Sequence, residues 1–188
     1  MASDRKKILL IDACVRDDSR TKRITDALLK KLDGDLEVVR LEDIDFEKTD
    51  QDYLDRRTKL IDSSSLDDEM FTLARQFASA DIIVIAAPYW DLSFPASLKQ
   101  YIEKINVTDI TFRYTPEGYP QSLCKATKLY YIMSAGGNFV PEEFGFGYIK
   151  SLAENFYGIR DCKLIKAVGL DIWGADPDAI VRECIDKI

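Results

Sequence analysis

The chain has 188 residues, 46% of them hydrophobic and 31% charged, which fits one globular domain that buries a full core without staples. Lys and Arg number 26 against 33 Asp and Glu, and the resulting net charge of −7 argues against sequence-blind binding to DNA or to an anionic membrane, since both need a basic face. There is no His, which removes Ser-His-Asp and Cys-His nucleophile activation and imidazole metal ligation, so chemistry must rest on Asp, Glu, Tyr, Cys, the backbone or a cofactor.

An apolar run at residues 8–11 reads as the first strand. A helical stripe follows at Ile24, Ala27, Leu28 and Leu32, with Gly34 placed as its C′ residue. Residues 36–41 read as the second strand. Residues 42–64 are polar and acidic, anchored by Tyr53 and Leu54, and have no clear periodicity. Ser65 with Asp68 is a capping-box variant ahead of the stripe Met70, Leu73, Ala74 and Phe77. The third strand covers 82–87, and Leu98, Ile102 and Ile105 mark the next helix. Within 107–123, alternating Ile110, Phe112 and Tyr114 precede Pro116-Glu117-Gly118, the pattern of a hairpin excursion. The fourth strand covers 129–133. Tyr148, Ile149, Leu152 and Phe156 then form a stripe, closed by Gly158. A fifth strand at 164–168 leads to Asp176-Pro177, an N-cap with Pro at the first helical position, ahead of Ile180, Cys184 and Ile185.

Short strands that are apolar on both faces, alternating with five helices, predict a single α/β domain over 1–188. Its sheet is doubly wound, parallel and five-stranded, in the order 2-1-3-4-5. The four cysteines, Cys14, Cys124, Cys162 and Cys184, form no CxxC pair, and no metal site is expected. The first residues, MASDRKKILLIDAC, hold no long apolar run, so the expectation is a cytoplasmic protein with reduced thiols and no membrane anchor.

In such a sheet, ligands bind beyond the carboxyl ends of the strands. That rule selects loop one (13–21), loop two (87–95) and loop three (134–141). Loop one offers Ser19 and Thr21 hydroxyls and the N-terminus of a helix to a phosphate, or Ser19 is simply an N-cap. It holds no Gly, so it is neither a Walker A loop nor a GxGxxG fingerprint. Cys14, five residues and Arg20-Thr21 reproduce the spacing of a low-molecular-weight tyrosine phosphatase. Asp17 and Asp18 oppose that reading, because they would repel a phosphate and raise the thiol's pKa; a buried, inert Cys14 fits better. Loop two places Tyr89 and Trp90 between Pro88 and Pro95, a rigid edge with flat faces suited to a conjugated ring, or an aromatic plug between helix and sheet. Loop three carries Gly136-Gly137, which permits positive φ or close approach of backbone to a ligand.

Residues 87–92 (APYWDL), then 94–102 (FPASLKQYI), 111–114 (TFRY) and 134–137 (SAGG) resemble the FMN-dependent NADH-azoreductases and NAD(P)H:quinone oxidoreductases of flavodoxin-like fold. The resemblance runs from the first strand to the last. It implies FMN, with its phosphate at Ser19, Arg20 and Thr21. It also implies that the ring lies along Pro88, Tyr89, Trp90, Asp91 and Leu92, with its pyrimidine side at Ser134, Ala135, Gly136 and Gly137. Backbone N–H groups of loops two and three would then face the ring. Tyr114, Phe139 and Phe156 are implied at the substrate pocket. The implied reaction takes a hydride from NAD(P)H and passes it to a quinone, azo compound or similar flat acceptor. A homodimer is implied as well, whose partner completes the pocket and meets segments 42–64 and 107–123. Tyr89, Asp91, Leu92 and Ala135 stand where the family has Met, Asn, Phe and Arg, and Ala13 replaces a phosphate-binding serine. An ionised carboxylate aimed at the ring would oppose its reduction, so Asp91 is expected to turn away and cap the following helix. An electron-carrier flavodoxin and a flavin-free binding module are the alternative readings of the same fold.

Overall fold

The computed structural model describes residues 5–188. Its elements are β1 (Lys7–Asp12), α1 (Arg20–Leu29), β2 (Asp35–Arg40), α2 (Gln51–Asp62), α3 (Thr72–Ser79), β3 (Ile82–Ala86), α4 (Ala96–Ile105), β4 (Phe112–Tyr114), β5 (Pro120–Ser122), β6 (Lys128–Ser134), α5 (Phe146–Asn155), β7 (Asp161–Ala167) and α6 (Pro177–Asp186). Five strands form one parallel sheet in the order β2-β1-β3-β6-β7, which is the expected 2-1-3-4-5 order with the hairpin strands β4 and β5 set aside. Ile8 lies opposite both Leu36 and Ile82, and Lys128 opposite both Ile82 and Asp161. All five strands therefore begin at one edge and end at the other.

Two cores form, one on each face of the sheet. Leu9, Ile11, Ile83, Ile85, Leu129 and Tyr131 pack under Phe71, Phe77, Leu98, Tyr101, Ile105 and Ile149, from the segments around α3, α4 and α5. Ile8, Leu10, Val84 and Ile132 pack under Ile24 and Leu28 of α1 and Val181 of α6. The inner strands are apolar on both faces because helices cover both faces. The outer strands are not. Leu36 and Val38 of β2 remain about half exposed, and β7 begins at the polar residues 161–163, ahead of its apolar run.

Several local expectations are corrected. Residues 51–62 are helical, although only Tyr53 of α2 is buried. Asp50 caps its N-terminus by accepting a hydrogen bond from Tyr53 N, Leu60 and Ile61 pack half-buried against the core, and from mid-helix Arg57 donates to Asn106 O at 2.6 Å. Lys104 reinforces this corner, with its ammonium 3.5 Å from the Tyr53 ring centroid and donating to Glu47 O. Gly34 is not a C′ glycine. α1 ends at Leu29, and a Cβ at Gly34 would run into the Lys6 carbonyl and reach within 2.9 Å of the Ile8 side chain, so close backbone approach selects it. Ser65 caps nothing; Asp68 caps the short 3-10 turn that precedes α3. Segment 107–123 folds as predicted into an antiparallel hairpin, with Phe112 opposite Ser122.

Candidate functional site at the carboxyl edge of the sheet

Loops one, two and three converge on one cavity of about 320 Å³. Its lining holds Val15, Arg16, Asp18, Ser19 and Arg20 from loop one, Pro88, Tyr89 and Trp90 from loop two, and Ser134, Ala135 and Gly136 from loop three. Leu170 and Asp171, which follow β7, complete it. A wider groove of about 790 Å³ runs along β7 between α1 and α6, but none of its liners belongs to the three loops.

Each wall has a local cause. Ser19 caps α1, its Oγ accepting from Lys22 N at 3.3 Å, so the plain capping reading of Ser19 holds. The backbone N–H groups of Arg20 and Thr21 donate to no acceptor among the described residues and lie at the positive end of the helix. Thr21 itself is fully buried. Its hydroxyl shares a 2.7 Å hydrogen bond with Ser134 Oγ, which ties α1 to the end of β6 instead of lining the cavity.

Loop two is rigid for reasons beyond its prolines. Tyr89 N donates to Ser134 O at 3.0 Å, and Tyr89 Oη donates to Pro141 O at 3.0 Å. Trp90 and Ser93 exchange both backbone hydrogen bonds around Asp91 and Leu92, whose φ values are +50° and +68°. Two positive φ angles in a two-residue loop are the type I′ pattern. The turn carries Asp91 and Leu92 away from the cavity and into solvent, so neither lines it. The expectation that Asp91 caps α4 is overturned: Pro95 stands at that N-cap, with no side-chain cap bond. The Tyr89 and Trp90 amides are likewise engaged within the protein, whereas those of Asp91 and Leu92 donate to no acceptor among the described residues.

Loop three contributes differently from expectation as well. Neither Gly136 nor Gly137 has positive φ. Gly136 is glycine because the Asp171 side chain lies against its α-carbon, where a Cβ would overlap the carboxylate. Gly137 faces open space. Among the described residues neither glycine donates its N–H to a protein acceptor, and of the two only Gly136 lines the cavity, where its amide adds to those of Arg20 and Thr21 as a donor open to a ligand. The loop after β7 is bonded to loop three by Gly169 N to Gly137 O, Leu170 N to Ala135 O and Asp171 N to Gly136 O, at 3.0, 3.2 and 2.9 Å. Asp171 Oδ1 accepts from Arg20 Nη1 at 2.7 Å. Reading the sequence missed Leu170 and Asp171, yet the strand-end rule applies to β7 as much as to the strands before it.

The implied substrate-pocket residues do not meet at this cavity. Tyr114 and Phe156 are linked through Phe112, whose ring stands edge-on to both at 5.4 and 4.9 Å. The base of their hairpin is tied to the opposite edge of the sheet, with Ser122 donating to Tyr157 O and Lys125 N to Ala78 O. Phe139 projects from loop three, 80% exposed.

Cys14 is 5% exposed, and burial, reinforced by the Asp12 carboxylate, pushes its thiol up to about 12. Such a thiol stays protonated at neutral pH and cannot attack a phosphate ester, which removes the phosphatase reading. The cysteines are free, and no cluster of potential metal ligands occurs among the described residues.

The chain is 37% identical to an FMN-dependent NADH:quinone oxidoreductase of Clostridium perfringens, over 96% of this chain and 95% of that one. It is 38% identical to a protein of the same description from Lachnoclostridium phytofermentans, with the same coverage. A crystal structure of an FMN-dependent NADH-azoreductase from Bacillus anthracis, in complex with FMN, superposes with a TM-score of 0.80 at 24% identity, over 96% of this chain and 95% of that one. Residues 6–188, nearly the whole chain, match the family described as flavodoxin-like fold, and the protein belongs to that family.

Proposed function

We propose that this protein is an FMN-dependent oxidoreductase that takes a hydride from NADH or NADPH and delivers it to a quinone, azo compound or similar flat acceptor. The carrying observation is the cavity at the carboxyl edge, where an open helix N-terminus, two arginines, the aromatic pair Tyr89 and Trp90 and the open Gly136 amide converge. That donor set fits FMN. The Arg20 and Thr21 amides, with Arg16 and Arg20, suit a phosphate. Pro88, Tyr89 and Trp90 suit a planar ring, and the Gly136 amide suits an acceptor atom on its edge. The relatives described as FMN-dependent match over nearly their whole length, which supports the same cofactor here. FMN, when bound, supplies the two-electron chemistry of hydride transfer, which side chains alone do not. The protein's residues bind the phosphate, hold the ring plane and leave one side open for donor and acceptor in turn.

The biological unit we propose is a homodimer. The cavity is at the low end of the volumes usual for ligand sites, about 300–1,000 Å³. Exposed apolar side chains crowd its surroundings, with Val15, Trp90, Leu92, Phe139, Phe144, Ile172 and Trp173 all on the loops at this edge. A second exposed set, Tyr114, Tyr119 and Leu123, sits on the hairpin. A second copy that lays its hairpin beside this cavity would cover both sets and bring Tyr114 to the substrate. No helix among the described residues is long and apolar enough to cross a membrane, and we place the enzyme in the cytoplasm.

The test is the purified protein under anaerobic conditions. It should carry the visible bands of flavin, lose them on addition of NADH and regain them on addition of a quinone. A bound flavin that neither NADH nor NADPH bleaches would overturn the reductase reading in favour of an electron carrier.

A further inference from the structure

Arg20 and Asp171 meet across the wall of the cavity and both line it. The carboxylate is not on a loose arm: its own backbone N–H is bonded to Gly136 O, and its side chain lies in the space that a Cβ at Gly136 would fill. The charged liners of the cavity are Arg16 and Arg20 against Asp18 and Asp171, two of each sign. A phosphate monoester brings nearly two negative charges at neutral pH into a site whose own charges cancel.

We propose, on the basis of the FMN reading above, that Asp171 is a specificity-determining residue. It competes with the cofactor's phosphate for the charge of Arg20 and holds down the affinity for phosphate-bearing ligands, so that FMN remains exchangeable. One guanidinium nitrogen is committed to Oδ1, and the other donors of Arg20 remain for a phosphate, so the carboxylate also orients the group it competes for. Orientation and repulsion are separable. Asp171→Asn keeps an acceptor oxygen for Arg20 and removes only the charge.

The experiment is a titration of the flavin-free protein with FMN and with riboflavin, which lacks the phosphate, read by quenching of flavin fluorescence. Asp171→Asn should tighten FMN by about tenfold, as expected for removal of one nearby like charge in a half-exposed site, leave riboflavin unchanged, and steepen the salt dependence of FMN binding. Arg20→Gln should weaken FMN and leave riboflavin unchanged. A D171N variant that weakens both flavins equally, or that leaves the ratio of FMN to riboflavin affinity unchanged, overturns this inference and leaves the FMN reading standing. A wild-type protein that binds neither flavin overturns both.

Discussion

Leu92 occupies left-handed backbone, which is unfavourable by about 1–2 kcal/mol for an L-residue, and its side chain is largely exposed. Replacing it with Gly removes that strain at little loss of burial. Leu92→Gly relieves that strain but adds about 0.5–1 kcal/mol of unfolded-chain entropy, so it should raise unfolding stability by only about 0.5 kcal/mol, seen as a slightly higher urea midpoint. Thr21 behaves oppositely. Thr21→Val keeps its shape but deletes the bond to Ser134, and should lower stability by about 1 kcal/mol. Because its backbone amide is untouched, FMN affinity should hold; a large loss would return the hydroxyl to the phosphate. Two shielded thiols, buried Cys14 and half-buried Cys124, set a pH limit. Cys14 and Cys124 are raised from the usual 9.0 to about 12, mainly by burial. A proton bound more tightly in the folded state stabilises it fully below pH 9, and that contribution is lost as pH rises toward 12. The urea midpoint should fall over that window, and Cys14→Ala should flatten part of the fall.

Gly34 joins α1 to β2 at the amino edge of the sheet, far from the cavity. Gly34→Ala should destabilise the protein by about 1–3 kcal/mol, because backbone rather than a flexible side chain occupies the space, and FMN affinity should be unchanged. This position shows what the sequence concealed. A glycine after a helical stripe looks the same whether it supplies φ or clearance, and only the strand beside it decides. The five strands and their order were legible because continuous apolar runs report burial on two faces. The ends of β7 were not, since an edge strand needs no apolar residue on its open side. α2 was missed for a related reason: it fully buries only Tyr53, and the next residues packed on the core, Leu60 and Ile61, come seven and eight positions later with charged residues between, while Asp50 at the cap and Lys59 in the last turn are weak signals beside periodicity. The site was legible as three loops because strand ends locate it. Asp171 was not, as its role depends on a contact with Arg20 across 151 residues.

At the scale of the whole molecule, the two exposed apolar sets predict association. The wild type should sediment as a dimer. Tyr119, 71% exposed on the hairpin, makes no contribution to the buried core, so Tyr119→Asp should give a folded monomer with reduced turnover. A dimer that survives this change with full turnover would exclude the hairpin from the interface. The order of strands carries a further consequence, in time rather than in space. β1 is made first, yet it lies inside the sheet between β2 and β3, and its second partner is about seventy residues away. A chain in which β1 pairs with β2 first would carry Ile8–Ile11 with one open flank until residues 82–86 arrive. The topology that gathers the loops at one edge thus predicts a refolding yield that falls as protein concentration rises, which dilution refolding at two concentrations would check.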